Sequence, residues 1–283
     1  EFRRVLFRSN FKTLATEYIE FEKDLWYPPG HGDIYQALRQ SEVFKKLEKR
    51  GIKYLFISNS DNLGATIDLR ILQAMYDKQK DFIMEVVPKT LADVKGGALV
   101  EYSGKINLLE LAQVPNEHIQ EFYDITKFKY FNTNNLYIHT SLIEDMNLSL
   151  DVIYNPKTLL NGANVVQLEV AMGSAIKSVN KENVKVICVQ RDRFLPVKKS
   201  QDLFLIESDL YDISQKSYKL TKRVNSLPRV VFNKDFNNYS MYKQAFKNGM
   251  PDISNCKEIV LNKYTIFSKE DIVNLFKNEQ VVV

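Results

Sequence analysis

The apolar run Tyr54-Leu55-Phe56-Ile57 ends abruptly on Ser58-Asn59-Ser60-Asp61-Asn62. Four consecutive apolar residues bounded by a polar cluster read as a buried strand with a polar carboxyl end. A helix is predicted before it, from about Asp33 to Arg50, stopped by Gly51, and another after it, from about Ala65 to Asp77. Phe82 to Val87 is the next strand. Helix and strand in alternation predict an α/β sheet with mostly parallel strands, whose ligands sit beyond the carboxyl ends of the strands.

Further along, Ile106–Val114, Leu136–His139, Lys185–Val189 and Leu203–Glu207 read as strands. Val165 to Val179 reads as a helix, with apolar residues at 168, 171, 172, 175, 176 and 179. Past about Lys219 the texture changes to short apolar pulses between Asn- and Lys-rich corners: 259–261, 264–267, 272–276 and 281–283. That spacing suggests a β-solenoid, and the terminal Val281-Val282-Val283 suggests a solenoid without its polar cap.

The first nine residues, EFRRVLFRS, resemble the in-frame translation of a sequencing adapter; the other reading is a basic arm or targeting peptide. They are set aside, with the chain proper expected to start near Asn10 and to be truncated at both ends. Without Glu1, Arg3, Arg4 and Arg8 the net charge falls from +4 to +2, with 36 basic and 34 acidic residues. No basic stripe remains to argue for a nucleic-acid partner. No apolar run approaches the length of a membrane span, so no membrane partner is expected. Two cysteines, Cys188 and Cys256, are too few for a disulfide framework, which suits a reducing, cytoplasmic setting.

Four stretches carry candidate chemistry. Asp61 has the carboxylate a hard divalent cation wants, or it belongs to an Asx-turn that opens the next helix. Gly30-His31-Gly32-Asp33 runs into a helix start, where backbone N–H groups meet anions; it also reads as a plain turn with Asp33 as N-cap. Phe131-Asn132-Thr133-Asn134-Asn135 offers amides suited to sugar hydroxyls, or is a polar loop. Lys198, after Phe194-Leu195-Pro196-Val197, is a phosphate-facing cation or a solvated surface lysine.

Taken together and in order, WYPPGHGDIY, FISNSDNLGATIDL, ADVKGG, LELAQVP, FKYFNTNNL and RFLPVK resemble the eukaryotic UDP-glucose pyrophosphorylases, the UTP–glucose-1-phosphate uridylyltransferase family. The likeness is collinear from about Tyr27 to Tyr211. It implies a GT-A-like (Rossmann-like) nucleotidyltransferase core over 10–218, followed over 219–283 by a linker and the start of a left-handed β-helix. It implies UTP, glucose 1-phosphate, UDP-glucose and pyrophosphate as ligands, with Mg²⁺ as cofactor. Homo-oligomers through the β-helix are a further implication.

Residue by residue, the resemblance assigns Gly30 to the nucleotide and His31 to the substrate, the glycines letting backbone touch ligand. Asp61 matches the aspartate of Mg²⁺ and the nucleotide phosphates, with Asn59 and Ser60 as substrate-contacting neighbours. Asn134 matches a sugar-binding asparagine, and Glu110 a glutamate that accepts from glucose hydroxyls. Lys198 matches the catalytic, nucleotide-contacting lysine, and Lys95 lies near the sugar phosphate. The family's glycine-rich loop upstream of WYPP has no counterpart between Asn10 and Trp26, so the isolated chain is expected to be inactive. Competing expectations are a UDP-N-acetylhexosamine or broad UDP-sugar pyrophosphorylase, and a catalytically silent nucleotide-sugar-binding paralogue.

Overall fold

The computed structural model describes residues 4–5, 8–9, 16–17, 26–27, 29–90, 94–144, 148–158, 162, 164–214, 217–220 and 227–283. Pro28 of WYPPGHGDIY and residues 92–93 of ADVKGG lie outside the described residues. The chain divides into two compact units: 1–58 with 67–189, and 59–66 with 190–283. The division falls ahead of the texture change at 219. Helix Ser200–Glu207 puts Phe204 into the same aromatic core as Phe232, Phe246 and Phe276, which binds the 200s to the C-terminal unit.

The first unit is built on a six-stranded sheet. Strand Tyr130–His139 runs through its centre. Phe82–Pro88 lies along one side of it, and beyond that Val184–Cys188. On the other side Tyr54–Ile57 pairs with residues 136–139 and Ala98–Tyr102 meets Phe131, with Lys105–Leu109 outermost. Phe82 to Val87, apolar except for Glu85, is buried on both faces, as a strand of a covered sheet is. Phe82, Met84 and Val86 pack with Tyr35, Leu136, Met172 and Ile176, while Ile83 packs oppositely with Ile71, Met75 and Tyr137.

The expectation of mostly parallel strands is overturned. Within this six-stranded sheet Val184–Cys188 with Phe82–Pro88 is the parallel pair; its other pairings are antiparallel. Tyr54–Ile57 and Phe82–Pro88 do run the same way, as their helical crossover requires, but Tyr130–His139 is inserted between them.

Several predicted elements change. The helix expected over 33–50 is two, Ile34–Gln40 and Glu42–Lys49, broken at Ser41, whose hydroxyl accepts from Phe44 N. The next helix begins only at Leu69, capped by Asp68. Residues 106–114 form a strand to Leu109, then a 3₁₀ turn at Leu111–Gln113. The helix expected over 165–179 is a strand, Asn164–Val170, then a 3₁₀ segment, Met172–Ser178. Its first half pairs antiparallel with Val152–Thr158. The strand expected at 203–207 is helical, because Asp202 accepts from Lys198 N and Lys199 N and so starts a helix at Ser200.

In the second unit Arg229–Phe232, Glu258–Leu261 and Gln280–Val282 stack as a parallel three-stranded sheet. Of the predicted pulses, 259–261 and 281–282 are strands. Residues 264–267 carry no strand, and 272–276 fall in the helix Lys269–Asn274 and the turn after it.

Candidate functional site

The first cluster is built on a break in strand pairing. Met84 pairs with Leu136, but Val86 pairs with Asn132, so residues 133–135 face the single residue Glu85. The extra chain is taken up at Asn134, with φ of 58°, a left-handed conformation asparagine tolerates better than most residues. Side chains hold the bulge. Thr133 Oγ1 donates to the Glu85 carbonyl at 2.8 Å and accepts from Asn135 N at 3.2 Å. Asn135 Nδ2 donates to Glu85 Oε2 at 3.0 Å, with both residues fully buried. Asn132 Oδ1 accepts from Asn134 N at 2.9 Å, and Asn132 Nδ2 donates to Asn134 Oδ1 at 2.8 Å. FNTNN is therefore a strand with a locked bulge rather than a polar loop.

Glu110 adjoins this bulge. Asn132 N donates to Gly97 O, and a Cβ on Gly97 would lie 2.6 Å from Glu110 Oε1, so the carboxylate fills the space a side chain at 97 would take. Burial pushes the Glu110 carboxyl above the ordinary glutamate range, with Lys89 acting in the opposite direction. The Lys89 ammonium sits 4.3 Å from the Phe122 ring centroid. Lys95 is exposed in the turn leading to Gly96-Gly97.

A second cluster surrounds His31. Met172 N donates to His31 Nδ1 at 2.9 Å. A backbone N–H can only donate, so Nδ1 carries the lone pair and Nε2 the proton. Tyr35 Oη donates to Met172 O at 2.8 Å, and burial raises its phenol well above the ordinary range. Gly30 has φ of 91°, and a Cβ there would lie 2.6 Å from both N and O of Val170. Val170 N donates in turn to Pro29 O at 3.0 Å. A Cβ at this glycine would thus meet protein backbone, so chain-to-chain packing by itself already requires glycine here. The two clusters share one segment, because Gly173 follows Met172 and its missing Cβ would lie 3.0 Å from Asn132 Nδ2.

The remaining candidates belong to the second unit. Asn59 and Asp61 are half-buried and Ser60 is exposed. Asn62, passed over in the sequence, is the hub. Its Oδ1 accepts from Leu195 N at 2.8 Å and Gly64 N at 3.1 Å, and its Nδ2 donates to Arg193 O at 3.1 Å. The Arg193 guanidinium donates to the Thr66 carbonyl and hydroxyl. Val197 N donates to Asp61 O at 2.8 Å, so Lys198 is the residue after the one clasped to Asp61. Lys198 N is itself held by Asp202 Oδ2 at 2.8 Å, and its side chain is exposed.

The described residues contain no group of three or more His, Cys, Asp or Glu able to hold a metal by themselves. Asp61 as a single carboxylate suits a cation that takes most of its ligands from water and phosphate, as Mg²⁺ does.

Comparison with known proteins agrees with these motifs. The family model described as UTP–glucose-1-phosphate uridylyltransferase matches residues 5–273. The chain is similar to the Solanum tuberosum UTP–glucose-1-phosphate uridylyltransferase, 48% identical over 73% of this chain and 43% of that protein. It is 43% identical to the Dictyostelium discoideum UTP–glucose-1-phosphate uridylyltransferase 2, over 84% of this chain and 48% of that protein. It spans about half the length of the curated relatives it matches. Among solved structures, a UDP-glucose pyrophosphorylase from Leishmania major superposes with TM-score 0.77 and 35% identity, over 91% of this chain and 58% of that one. A mutant of that enzyme in complex with UDP-glucose superposes with TM-score 0.77 at 34% identity, over the same shares of each chain. The chain belongs to the UTP–glucose-1-phosphate uridylyltransferase family.

Proposed function

We propose that the full-length protein transfers a uridylyl group from UTP to glucose 1-phosphate, giving UDP-glucose and pyrophosphate, and runs the reverse reaction as well. The observation that carries the chemistry is the clasp of Val197 N on Asp61 O, which holds the backbones that bear the Asp61 carboxylate and, one residue on from Val197, the Lys198 side chain at adjacent points. Two anions must meet and a third must leave, so positioning and neutralisation are the main demands.

A phosphate oxygen of glucose 1-phosphate attacks the α-phosphorus of UTP, and the bond to the pyrophosphate oxygen breaks. Lys198 offsets the charge that builds on the transferring group. Asp61 would hold Mg²⁺, which when bound supplies charge neutralisation to the phosphates. Asn59 and Ser60 flank that carboxylate as substrate contacts. Sugar recognition is assigned to the first unit: Glu110 accepts from sugar hydroxyls, and Asn134 donates and accepts. His31 donates from Nε2 to a ligand oxygen, Gly30 lies in the nucleotide-facing loop, and Lys95 offers a cation to the sugar phosphate.

The first unit is assigned to the GT-A-like class. The three parallel strands of the second unit are assigned to the first coils of a left-handed β-helix, through which the intact protein self-associates. No helix among the described residues is long and apolar enough to cross a membrane, and we assign the protein to the cytoplasm.

The test is pyrophosphate release by the full-length protein given UTP, Mg²⁺ and glucose 1-phosphate, set beside N-acetylglucosamine 1-phosphate. Turnover with glucose 1-phosphate supports the reading. UDP-glucose binding without turnover would replace it with the silent binding paralogue. Equal or better use of the N-acetyl sugar would replace it with a broader pyrophosphorylase.

A further inference from the structure

We infer that Glu85 is a positioning residue for the sugar subsite, acting through the bulge it anchors; the inference rests on the reading of Asn134 as a sugar contact. Glu85 is fully buried, on a strand whose other members from Phe82 to Val87 are apolar. A carboxyl there costs desolvation that a valine or leucine would avoid. Its side chain is held by Asn135 Nδ2 and its carbonyl by Thr133 Oγ1, so one residue grips the bulge from both sides.

The consequence appears one residue away. With 133 and 135 tied to Glu85, Asn134 between them is forced to φ of 58°. A left-handed asparagine costs roughly 1 kcal/mol or more relative to ordinary backbone, and persists only where its surroundings fix it. In this conformation the Asn132 side-chain amide accepts from the Asn134 backbone N–H and donates to Asn134 Oδ1. Asn132 Nδ2 spends a proton on Asn134 Oδ1, which fixes the amide orientation and leaves the Asn134 Nδ2 as the sugar-facing donor. Loss of the Glu85 carboxyl frees residues 133–135 to relax toward an ordinary strand, and the Asn134 amide then loses its aim. Misplacement of a contact by about 1 Å costs up to a hundredfold in well-positioned sites, so an effect of about tenfold is expected from a partial relaxation.

The test uses the full-length protein with Glu85→Gln, Thr133→Val and Asn134→Gly, glycine being chosen because it accepts the left-handed backbone. Glu85→Gln keeps one acceptor and the shape but removes the carboxylate. Thr133→Val removes the other grip without changing volume, and serves if Glu85→Gln fails to fold. The expected result is an increase of about tenfold in the KM for glucose 1-phosphate with either variant, the KM for UTP staying within about twofold. Added to Asn134→Gly, neither variant should raise the sugar KM further. A merely structural role would shift both KM values together, or only the melting temperature, and would overturn the inference. If Asn134→Gly itself leaves the sugar KM unchanged, the sugar-contact reading falls and the inference with it. If Asn134→Gly raises the sugar KM and the other two do not, the inference alone falls.

Discussion

The amide of Val197 donates to the carbonyl of Asp61 at 2.8 Å, and this bond fixes how far the Lys198 backbone stands from the Asp61 backbone. Beside it, Asn62 fastens the same two segments through Leu195 N and Arg193 O while also holding Gly64 N. Asn62→Ala leaves two buried N–H donors without an acceptor, each costing about 1–3 kcal/mol. The expected outcome is a protein several degrees less stable whose turnover falls more than its substrate KM rises. Thermal melting together with steady-state kinetics checks both parts.

Lys198 is exposed and its backbone N–H is already capped by Asp202. Lys198→Ala should therefore leave the melting temperature unchanged while turnover falls by roughly 10²–10³, the loss typical of one preorganised charge-stabilising donor. A loss below about tenfold would remove Lys198 from the chemistry. Asp61→Asn, by contrast, keeps the backbone clasp and should show itself as a higher Mg²⁺ requirement. A titration of rate against Mg²⁺ in the full-length protein reads that directly, and chelation of the metal should abolish turnover in both.

Gly30 makes a stability prediction that owes nothing to ligands. Alanine there meets Val170 N and O at 2.6 Å and must hold φ of 91°. Backbone atoms cannot swing aside as a flexible side chain can, so Gly30→Ala should cost at least about 2–3 kcal/mol. Gly104, at φ of 74° with nothing within 4 Å, pays only the backbone term, and Gly104→Ala should cost about 1–2 kcal/mol. Denaturant unfolding of the two variants separates them. Equal losses would mean that the Val170 contact is not what demands glycine at 30.

The strands at 54–57 and 82–88 were legible because short, largely apolar runs flanked by polar residues have few other uses, although the first, expected to be buried, is only half-buried. Residues 164–170 were not, because their apolar spacing fits a helix and only their partner at 152–158 makes them a strand. That is tertiary pairing overriding local pattern. Helix Ser200–Glu207 was missed for a related reason: LFLIE alone is as good a strand as a helix, and the Asp202 cap decides. Asp61, Glu110, Asn134, His31 and Lys198 are candidates that the family motifs supplied. Glu85, Asn62 and the 170–173 segment were not among them, since each works through a residue far away in sequence. Glu85 reaches Asn135, and Met172 reaches His31; neither spacing leaves a local signature.

Glu110 carries the pH prediction. Burial raises its carboxyl in the folded chain above the ordinary value, with Lys89 only partly opposing the shift. The folded state thus holds this proton more tightly than the unfolded state does. The stabilisation that follows is fully present below the ordinary glutamate pKa and is lost as pH rises through the folded value. At neutral pH the charged carboxylate is therefore a stability cost, one that the proposed acceptance from sugar hydroxyls would account for. Glu110→Gln should make the protein more stable at pH 7, and the gain should shrink as pH falls into the carboxylate range. The same substitution should raise the KM for glucose 1-phosphate at pH 7. In the unsubstituted protein, sugar affinity should weaken on acidification earlier than an ordinary glutamate would allow, and Glu110→Gln should abolish that acid limb. Melting curves and the glucose 1-phosphate KM, taken across the acidic range for both proteins, test the pair of effects. An acid limb that survives in the glutamine variant would assign it to another group.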